Sequence, residues 1–413
     1  MSEEEYACNG SCGTGEFGAM YKQASPCHHM NLPQNLLEPV MVRYVTTRVF
    51  SVRFDTELVS FREENGGERF VCLVPGPKVS TLDLVDKGNF CLLIEFAGVG
   101  IWAIWTQFFP PANSAPITEK NLPRQDGKVF IITGGSSGIG FELCKILYGV
   151  GGKVYMLTRS KSNAADARSR IIQSFDETDA NQTGIVDFIH MDLEDLASVQ
   201  TAAKEFLLRE KRLNVLFNNA GVASVKDRKT KQGLEYHFGV NSVGHILLQK
   251  LLMPLLAETA QMAPADSVRV IWSASILTEL MSPLGGISVD HLNNPSADIN
   301  EHYSASKTGN WFAASEFAKR VGRRQASSWY YPFRPALRDP IHGAWTYLWM
   351  AFYKDVTMDD AVTGKYAMCD GRWHPGQRED LLLALKTKEE GGTGQAAAYF
   401  DWCETKVGPF LLE

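Results

Sequence analysis

Basic runs are missing from this 413-residue chain, in which 41 Lys and Arg are outweighed by 47 Asp and Glu for a formal net charge of −6. Without a positive stripe to meet a phosphate backbone, a nucleic-acid partner is not expected. Cysteine is sparse. The eight present (Cys8, Cys12, Cys27, Cys72, Cys91, Cys144, Cys369 and Cys403) are scattered along the chain, which suits a reducing compartment and excludes a disulfide framework. Cys8, Cys12 and the run Cys27-His28-His29 lack the paired short knuckles of a zinc module, so no metal is expected. The N-terminus, Met1-Ser2-Glu3-Glu4-Glu5, has neither the basic start nor the apolar core of a secretory signal, and a cytoplasmic location is expected. Internal repeats and low-complexity tracts are absent as well.

Only one apolar run has the length of a bilayer span, Phe90 to Phe109. Glu95 lies inside it, and an acid at mid-helix costs about 2.5–3.5 kcal/mol on insertion. Gly98 and Gly100 weaken a helix further. A buried or interfacial segment is therefore favoured, with membrane association through residues 90–109 as the alternative.

Three regions follow from texture. Residues 1–100 form an extension of unassigned structure. Within it Val42 to Phe54 alternates like a strand, the stretch Glu63 to Glu68 reads as a turn, and the run Phe70 to Val74 is a candidate partner strand. Residues 101–126 are a lead-in, rich in Pro, Asn and Ser from Pro110 onward. Residues 127–413 alternate short apolar runs with helical patterns. The runs are Val129–Ile132, Lys153–Leu157, Ile185–His190, Val215–Phe217 and Val268–Trp272. The helical stretches include Phe141–Tyr148, Leu196–Arg209, Tyr236–Leu256 and Tyr303–Arg324. Alternation of this kind predicts an α/β fold, a doubly wound parallel sheet of Rossmann type with helices on both faces.

The first run ends in Thr133-Gly134-Gly135-Ser136-Ser137-Gly138-Ile139-Gly140 and opens a helix. Glycines there permit a tight turn, bring backbone N–H groups to a pyrophosphate, and leave the helix N-terminus facing it. The spacing is G-x-x-x-G-x-G, which differs from the G-x-G-x-x-G of ordinary dinucleotide folds. The second strand ends at Leu157-Thr158-Arg159, with no acid until Asp166. An Arg at this edge suits the 2′-phosphate of NADP, so NADP(H) is favoured over NAD(H). The plainer reading makes Arg159 a solvated surface charge.

Tyr303 and Lys307 stand four apart and would share a helix face. A phenol ionises near pH 10, and a nearby ammonium lowers that value, each unit being worth about 1.4 kcal/mol. A Tyr-x-x-x-Lys pair by itself is a common accident. Here Val270-Ile271-Trp272 also leads to Ser273-Ala274-Ser275 at a strand end, where a hydroxyl can bond a substrate oxygen. Ser275 is the first candidate for that role and Ser273 the second. Asn218-Asn219-Ala220-Gly221 follows another strand, and Asn241 lies in the helix that begins near Tyr236.

Together TGGSSGIG, NNAG, Ser275 and YSASK make residues 101–413 resemble the classical short-chain dehydrogenase/reductase family. The stretches WTQFFPP and EGGTG resemble more particularly fungal members related to retinol dehydrogenases, several of which serve secondary-metabolite pathways. The resemblance implies that Tyr303 donates the proton in reduction, Lys307 lowers its pKa and holds the nicotinamide ribose, Ser275 polarises the carbonyl, and Asn241 anchors a water. It further implies that Asp192, beside Leu193, contacts the adenine, that Asn219, Ala220 and Gly221 line the cofactor, and that Ile139 meets the pyrophosphate through its backbone. Each residue also has a plainer reading. Asn241 could satisfy backbone groups, Asp192 could cap the next helix, and Asn218 with Asn219 could close a turn.

One departure from the family pattern concerns the stretch after the Tyr–Lys helix, where a core strand ending in Pro-Gly is expected. Residues Arg323 to Pro335 hold no β-branched run, and no glycine falls between Gly322 and Gly343. A late strand and its loop are thus expected to be missing, or else filled differently by Trp329-Tyr330-Tyr331. The expected function is NADP(H)-dependent interconversion of a ketone and a secondary alcohol on a small hydrophobic substrate. The alternative is an impaired or non-catalytic nucleotide-binding member lacking the Pro-Gly segment. A homo-oligomer stays open.

Overall fold

The computed structural model describes residues 60–64, 67–71, 115–175, 183–223, 225–294, 298–321, 326–330 and 339–411. The chain divides into two units, Met1–Ala112 and Asn113–Glu413. In the first, β1 (Ser60–Glu64) and β2 (Gly67–Val71) form an antiparallel hairpin in which Glu64 pairs with Gly67. The strands flank Asn65-Gly66, which lies outside the described residues. The partner strand differs from expectation: residues 60–64 take that place, while the alternating stretch 42–54 lies outside the described residues, as do the apolar run 90–109 and the Cys8–His29 segment.

In the second unit the order is β3 (Val129–Thr133), α1 (Gly138–Gly149), β4 (Lys153–Thr158), α2 (Lys161–Gln173), β5 (Ile185–His190), α3 (Leu196–Arg209) and β6 (Val215–Asn218). A π-helical turn (Phe238–Val243) leads into α4 (Gly244–Met262), followed by β7 (Arg269–Ser273), α5 (Leu277–Met281), α6 (Val289–Asn293) and α7 (Ile299–Val321). The chain ends with β8 (Ala326–Tyr330), α8 (Pro340–Phe352), α9 (Met358–Val362), a two-residue β9–β10 ribbon (Ala367–Met368, Arg372–Trp373), α10 (Glu379–Leu385) and α11 (Gln395–Val407).

Six strands pair in parallel in the order β5-β4-β3-β6-β7-β8. The chain builds outward from β3 in one direction, then returns to β6 and builds outward in the other. That reversal opens a crevice above the carboxyl ends of β3 and β6, where ligands bind in sheets of this kind. Strand alternation sends Phe130 and Phe217 to one face, edge-on to Phe352 and Tyr347 of α8 at 5.9 and 5.7 Å. Trp272 points to the other, stacked on Phe317 of α7 at 6.3 Å and donating its indole N–H to Gln249 of α4 at 2.9 Å. Burial on both faces explains why these strands read as continuous apolar runs.

Of the two expectations for the stretch after the Tyr–Lys helix, a missing strand or a position filled differently, the structure shows the second. Ala326–Tyr330 pairs in parallel with β7, from Arg269 opposite Ala326 to Ser273 opposite Tyr330. A strand at the sheet edge bonds to one neighbour only, so it forms without the β-branched run of an inner strand. Trp329 and Tyr330 therefore fill the sheet position, and the loop that would carry Pro-Gly lies outside the described residues. Among the described residues, one helical stretch is long and apolar enough to cross a membrane, Phe238–Met262. Most of it is buried inside the fold, as a core helix is.

Candidate active site

Thr133, the last residue of β3, ties the crevice together. Its hydroxyl oxygen accepts the Asn219 and Ala220 N–H groups at 2.9 and 2.8 Å. Its other partners are His245 Nε2 at 3.0 Å and the Phe217 carbonyl at 3.3 Å, while His245 Nδ1 faces the Asn241 carbonyl at 3.0 Å. A carbonyl can only accept, so the proton sits on Nδ1 and Nε2 accepts; the one Thr133 hydroxyl hydrogen goes to Nε2, the shorter contact, in preference to the Phe217 carbonyl. Burial lowers the His245 pKa to about 3, which keeps the ring neutral and this direction of bonds intact. Asn219 adds a bond from Nδ2 to the Thr133 carbonyl at 2.8 Å.

Between β3 and α1 the glycine turn has the backbone its residues predict. Gly134 and Gly138 have φ of 69° and 57°, the left-handed region. A Cβ on Gly140 would lie 2.5 Å from the Gly134 carbonyl oxygen, so the first turn of α1 closes only on glycine. Ser137 is the exposed N-cap of α1 and makes no side-chain capping bond. Ser136 Oγ lies 3.4 Å from Thr158 Oγ1 at the end of β4, and Ile139 is half-buried on the first turn. This cradle of a glycine turn at an uncapped helix N-terminus fits a pyrophosphate.

Beyond β4, Arg159 is exposed. Its charge helps hold the Glu194 carboxyl below its usual range, after the larger effect of the hydrogen bond from Arg228. Asp192 follows β5; its N–H donates to Ser198 Oγ at 3.0 Å and its Oδ1 accepts the Glu194 N–H at 3.1 Å. The cap of α3 is Asp195, which accepts the Ala197 N–H at 3.1 Å, so the capping role considered for Asp192 belongs to its neighbour. Leu193 is buried, and a Cβ on Gly244 would lie 2.9 Å from its side chain.

On the other side of the crevice stand Ser275, Tyr303, Lys307 and Asn241. Ser275 is fully buried two residues past β7; its hydroxyl oxygen accepts the Leu277 N–H at 3.3 Å and lies near enough to Tyr303 to oppose the upward shift of its phenol. Lys307 Nζ lies 5.9 Å from the centroid of the Tyr303 ring, and 3.3 and 3.4 Å from the carbonyl and hydroxyl oxygens of Ser273. Ser273, the second-choice hydroxyl, thus lies beside the lysine while Ser275 meets the tyrosine. Gly221 packs under both groups opposite: a Cβ there would sit 3.0 Å from Lys307 Nζ and 3.2 Å from Asn241 Oδ1.

Asn241 sits in the π-helical turn, where the sequence predicted continuous α-helix. Its Oδ1 accepts the Val222 N–H at 2.7 Å, and its Nδ2 donates to the Val222 carbonyl and to Ser306 Oγ, both at 3.0 Å. The plainer reading of Asn241 is therefore present in the structure: it stitches the chain after β6 to the π turn and to α7. The π turn also aims the Asn241 carbonyl at His245, and widened turns of this kind concentrate at functional sites.

In the protein alone, burial sets the charge states. Tyr303 is held above its ordinary pKa by burial, with the Ser275 hydrogen bond opposing. Lys307 is nine-tenths buried or more and is pushed down to about 7 by the same desolvation. A half-neutral lysine cannot lower the phenol as a full ammonium would. The protein's own groups therefore leave the pair in need of added polar or charged partners.

Thr133 and His245 were missed as positioning residues. Thr133 stood in the quoted motif without a role, and His245 carries no sequence signal, since a lone buried histidine is more often a core group.

A family profile described as short chain dehydrogenase matches residues 128–278. A short-chain dehydrogenase/reductase of Neocamarosporium betae is 37% identical over 75% of this chain and 94% of its own length. Another from Pestalotiopsis fici is 34% identical over 74% of this chain and 97% of its own. Among solved structures, an uncharacterized protein from Mycobacterium paratuberculosis shares the fold, with a TM-score of 0.53 at 24% identity over 71% of this chain and 97% of that one. These two fungal relatives match over nearly their whole length and about three quarters of this chain, and on that similarity the chain belongs to the short-chain dehydrogenase/reductase family, a family of oxidoreductases.

Proposed function

We propose that the protein is an NADP(H)-dependent oxidoreductase that interconverts a ketone and a secondary alcohol on a small hydrophobic substrate. The observation that carries the reading is the convergence of Tyr303, Lys307 and the serines after β7, with Lys307 Nζ 5.9 Å from the centre of the Tyr303 ring and 3.4 Å from the Ser273 hydroxyl. The nicotinamide, when bound, supplies or accepts the hydride. Ser275 donates to the substrate oxygen, and Tyr303 Oη passes the proton to that oxygen in reduction and takes it back in oxidation. Lys307 bonds the nicotinamide ribose and, once charged, favours the phenolate. Asn241 holds the chain after β6 against α7 and anchors the water of the proton relay.

Gly134, Ser136, Ser137, Gly138, Ile139 and Gly140 cradle the pyrophosphate, Asp192 and Leu193 border the adenine, and Asn219, Ala220 and Gly221 line the nicotinamide side. Arg159 takes the 2′-phosphate; its exposure at the end of β4 supports NADP over NAD. By analogy with the fungal relatives, the substrate is a secondary metabolite, a mycotoxin intermediate being one case. NADPH fluorescence titration of the wild type and of Tyr303→Phe tests the reading. Both are expected to bind the dinucleotide while only the wild type turns over a carbonyl substrate, and full activity in the variant removes Tyr303 from the mechanism.

A further inference from the structure

Beside the proposed active site, one further group of side chains converges that the reaction does not use. Glu235 precedes the π turn, His237 is its N-cap, and His302 lies on α7 immediately before Tyr303. Their donor atoms all lie within 4.8 Å of one another. His237 Nδ1 is 2.7 Å and His302 Nδ1 is 3.4 Å from the same oxygen, Glu235 Oε1. Zinc bonds to nitrogen and oxygen at about 2.0–2.1 Å, which places neighbouring ligands of a tetrahedron about 3.3 Å apart. The observed separations straddle that value.

We infer that Glu235, His237 and His302 form a binding site for one divalent transition-metal ion of the zinc class, at the edge of the crevice beside Tyr303. Two imidazoles with one carboxylate favour zinc or cobalt over magnesium or calcium, which prefer all-oxygen shells. Three protein ligands leave the fourth tetrahedral position to water, and the site is open enough for one. His237 is fully buried, while His302 and Glu235 each keep about an eighth of their side-chain surface exposed, 13% in both cases.

Glu235 Oε2 accepts the Phe238 N–H at 3.0 Å, which leaves Oε1 aimed at the two rings. Among the described residues His302 Nε2 is buried without a hydrogen-bond partner, and the ring meets Glu235 through its other nitrogen, Nδ1. The competing arrangement is a carboxylate accepting two neutral Nδ1–H groups, with His237 Nε2 accepting the Val225 N–H at a long 3.5 Å. Metal binding moves the proton of each ring to Nε2, which sets His237 Nε2–H against the Val225 N–H and leaves the His302 Nε2–H without an acceptor among the described residues, costs that the metal bonds have to outweigh.

The full-length chain should be titrated with cobalt(II) alone, then with zinc(II) and magnesium(II) as competitors, and followed by its visible d–d absorption. One equivalent is expected to bind, to be displaced by zinc and to resist magnesium. The band should be lost in both Glu235→Gln and His302→Gln and kept in Tyr303→Phe. Persistence in either of the first two variants, or no band in the wild type, overturns the site. X-ray absorption of the zinc-loaded wild type gives an answer that no misfolded variant can cloud. A shell of nitrogen and oxygen with two imidazoles supports the site, and a sulfur shell, as from Cys8, Cys12 or Cys27, overturns it. None of these readouts depends on the oxidoreductase activity.

Discussion

The Lys307 ammonium nitrogen stands 5.9 Å from the centre of the Tyr303 ring, yet the two do not form an ion pair, because burial pushes each toward its neutral state. The pair is competent in position and uncommitted in charge. Replacing Tyr303 by Phe removes only the phenol oxygen. Turnover of a carbonyl substrate is expected to fall by about 10²–10⁴-fold, with the NADPH dissociation constant within a small factor of wild type. Steady-state kinetics beside a fluorescence titration measure both.

The Lys307 shift has a signed consequence. Its pKa falls from 10.5 to about 7 in the folded protein. Between those values the unfolded chain binds more protons, so stability from this group rises with pH across roughly 7 to 10.5. Below pH 7 the charged form carries its full burial cost. Lys307→Met is therefore expected to stabilise the protein alone at pH 6 by a larger margin than at pH 9, while abolishing turnover. Urea unfolding at the two pH values gives the comparison, and an equal effect at both contradicts the assignment.

Dinucleotide binding at pH 8 is expected to draw a proton onto Lys307, since its new partners favour the ammonium. Calorimetry in two buffers of different ionisation enthalpy reports that uptake as a difference in apparent binding heat. Lys307→Met should remove it.

Arg159 decides the cofactor if its guanidinium meets the 2′-phosphate. Charge-assisted bonds of this kind are worth about 1.5–3 kcal/mol, so Arg159→Asp is expected to weaken NADPH by roughly one to two orders of magnitude and to improve NADH. Dissociation constants for both dinucleotides, measured in the wild type and the variant at one ionic strength, check the exchange.

Thr133→Val keeps the shape of the side chain and deletes one hydroxyl. The N–H groups of Asn219 and Ala220 and the Nε2 of His245 would each lose a partner. A buried group left unsatisfied costs about 1–3 kcal/mol. A loss of a few kcal/mol in denaturant unfolding is expected, together with weaker NADPH binding because the chain after β6 is no longer held against β3.

Much of this architecture was written in local pattern. Apolar runs and helical spacing located five strands of the sheet and the helices between them, because elements buried on both faces must be apolar along their length. The glycine turn and the Tyr303–Lys307 spacing were legible for a similar reason: backbone conformation at Gly134 and Gly138, and the sharing of a helix face, are local properties. The edge strand Ala326–Tyr330 was not legible, since its pairing with Arg269–Ser273 comes from the neighbouring strand and not from its own composition.

Sequence alone thus determined which residues could do the chemistry. Tertiary structure decided what state they are in and what holds them. The bond from His245 to the Asn241 carbonyl is local, four residues apart, but the bond between Thr133 and His245 exists only because β3 meets the start of α4 at the crevice. Desolvation of Lys307 and the meeting of Glu235, His237 and His302 likewise depend on what the fold packs around each group. Burial and long-range contact are properties of the assembled sheet and helices, and no spacing along the chain encodes them.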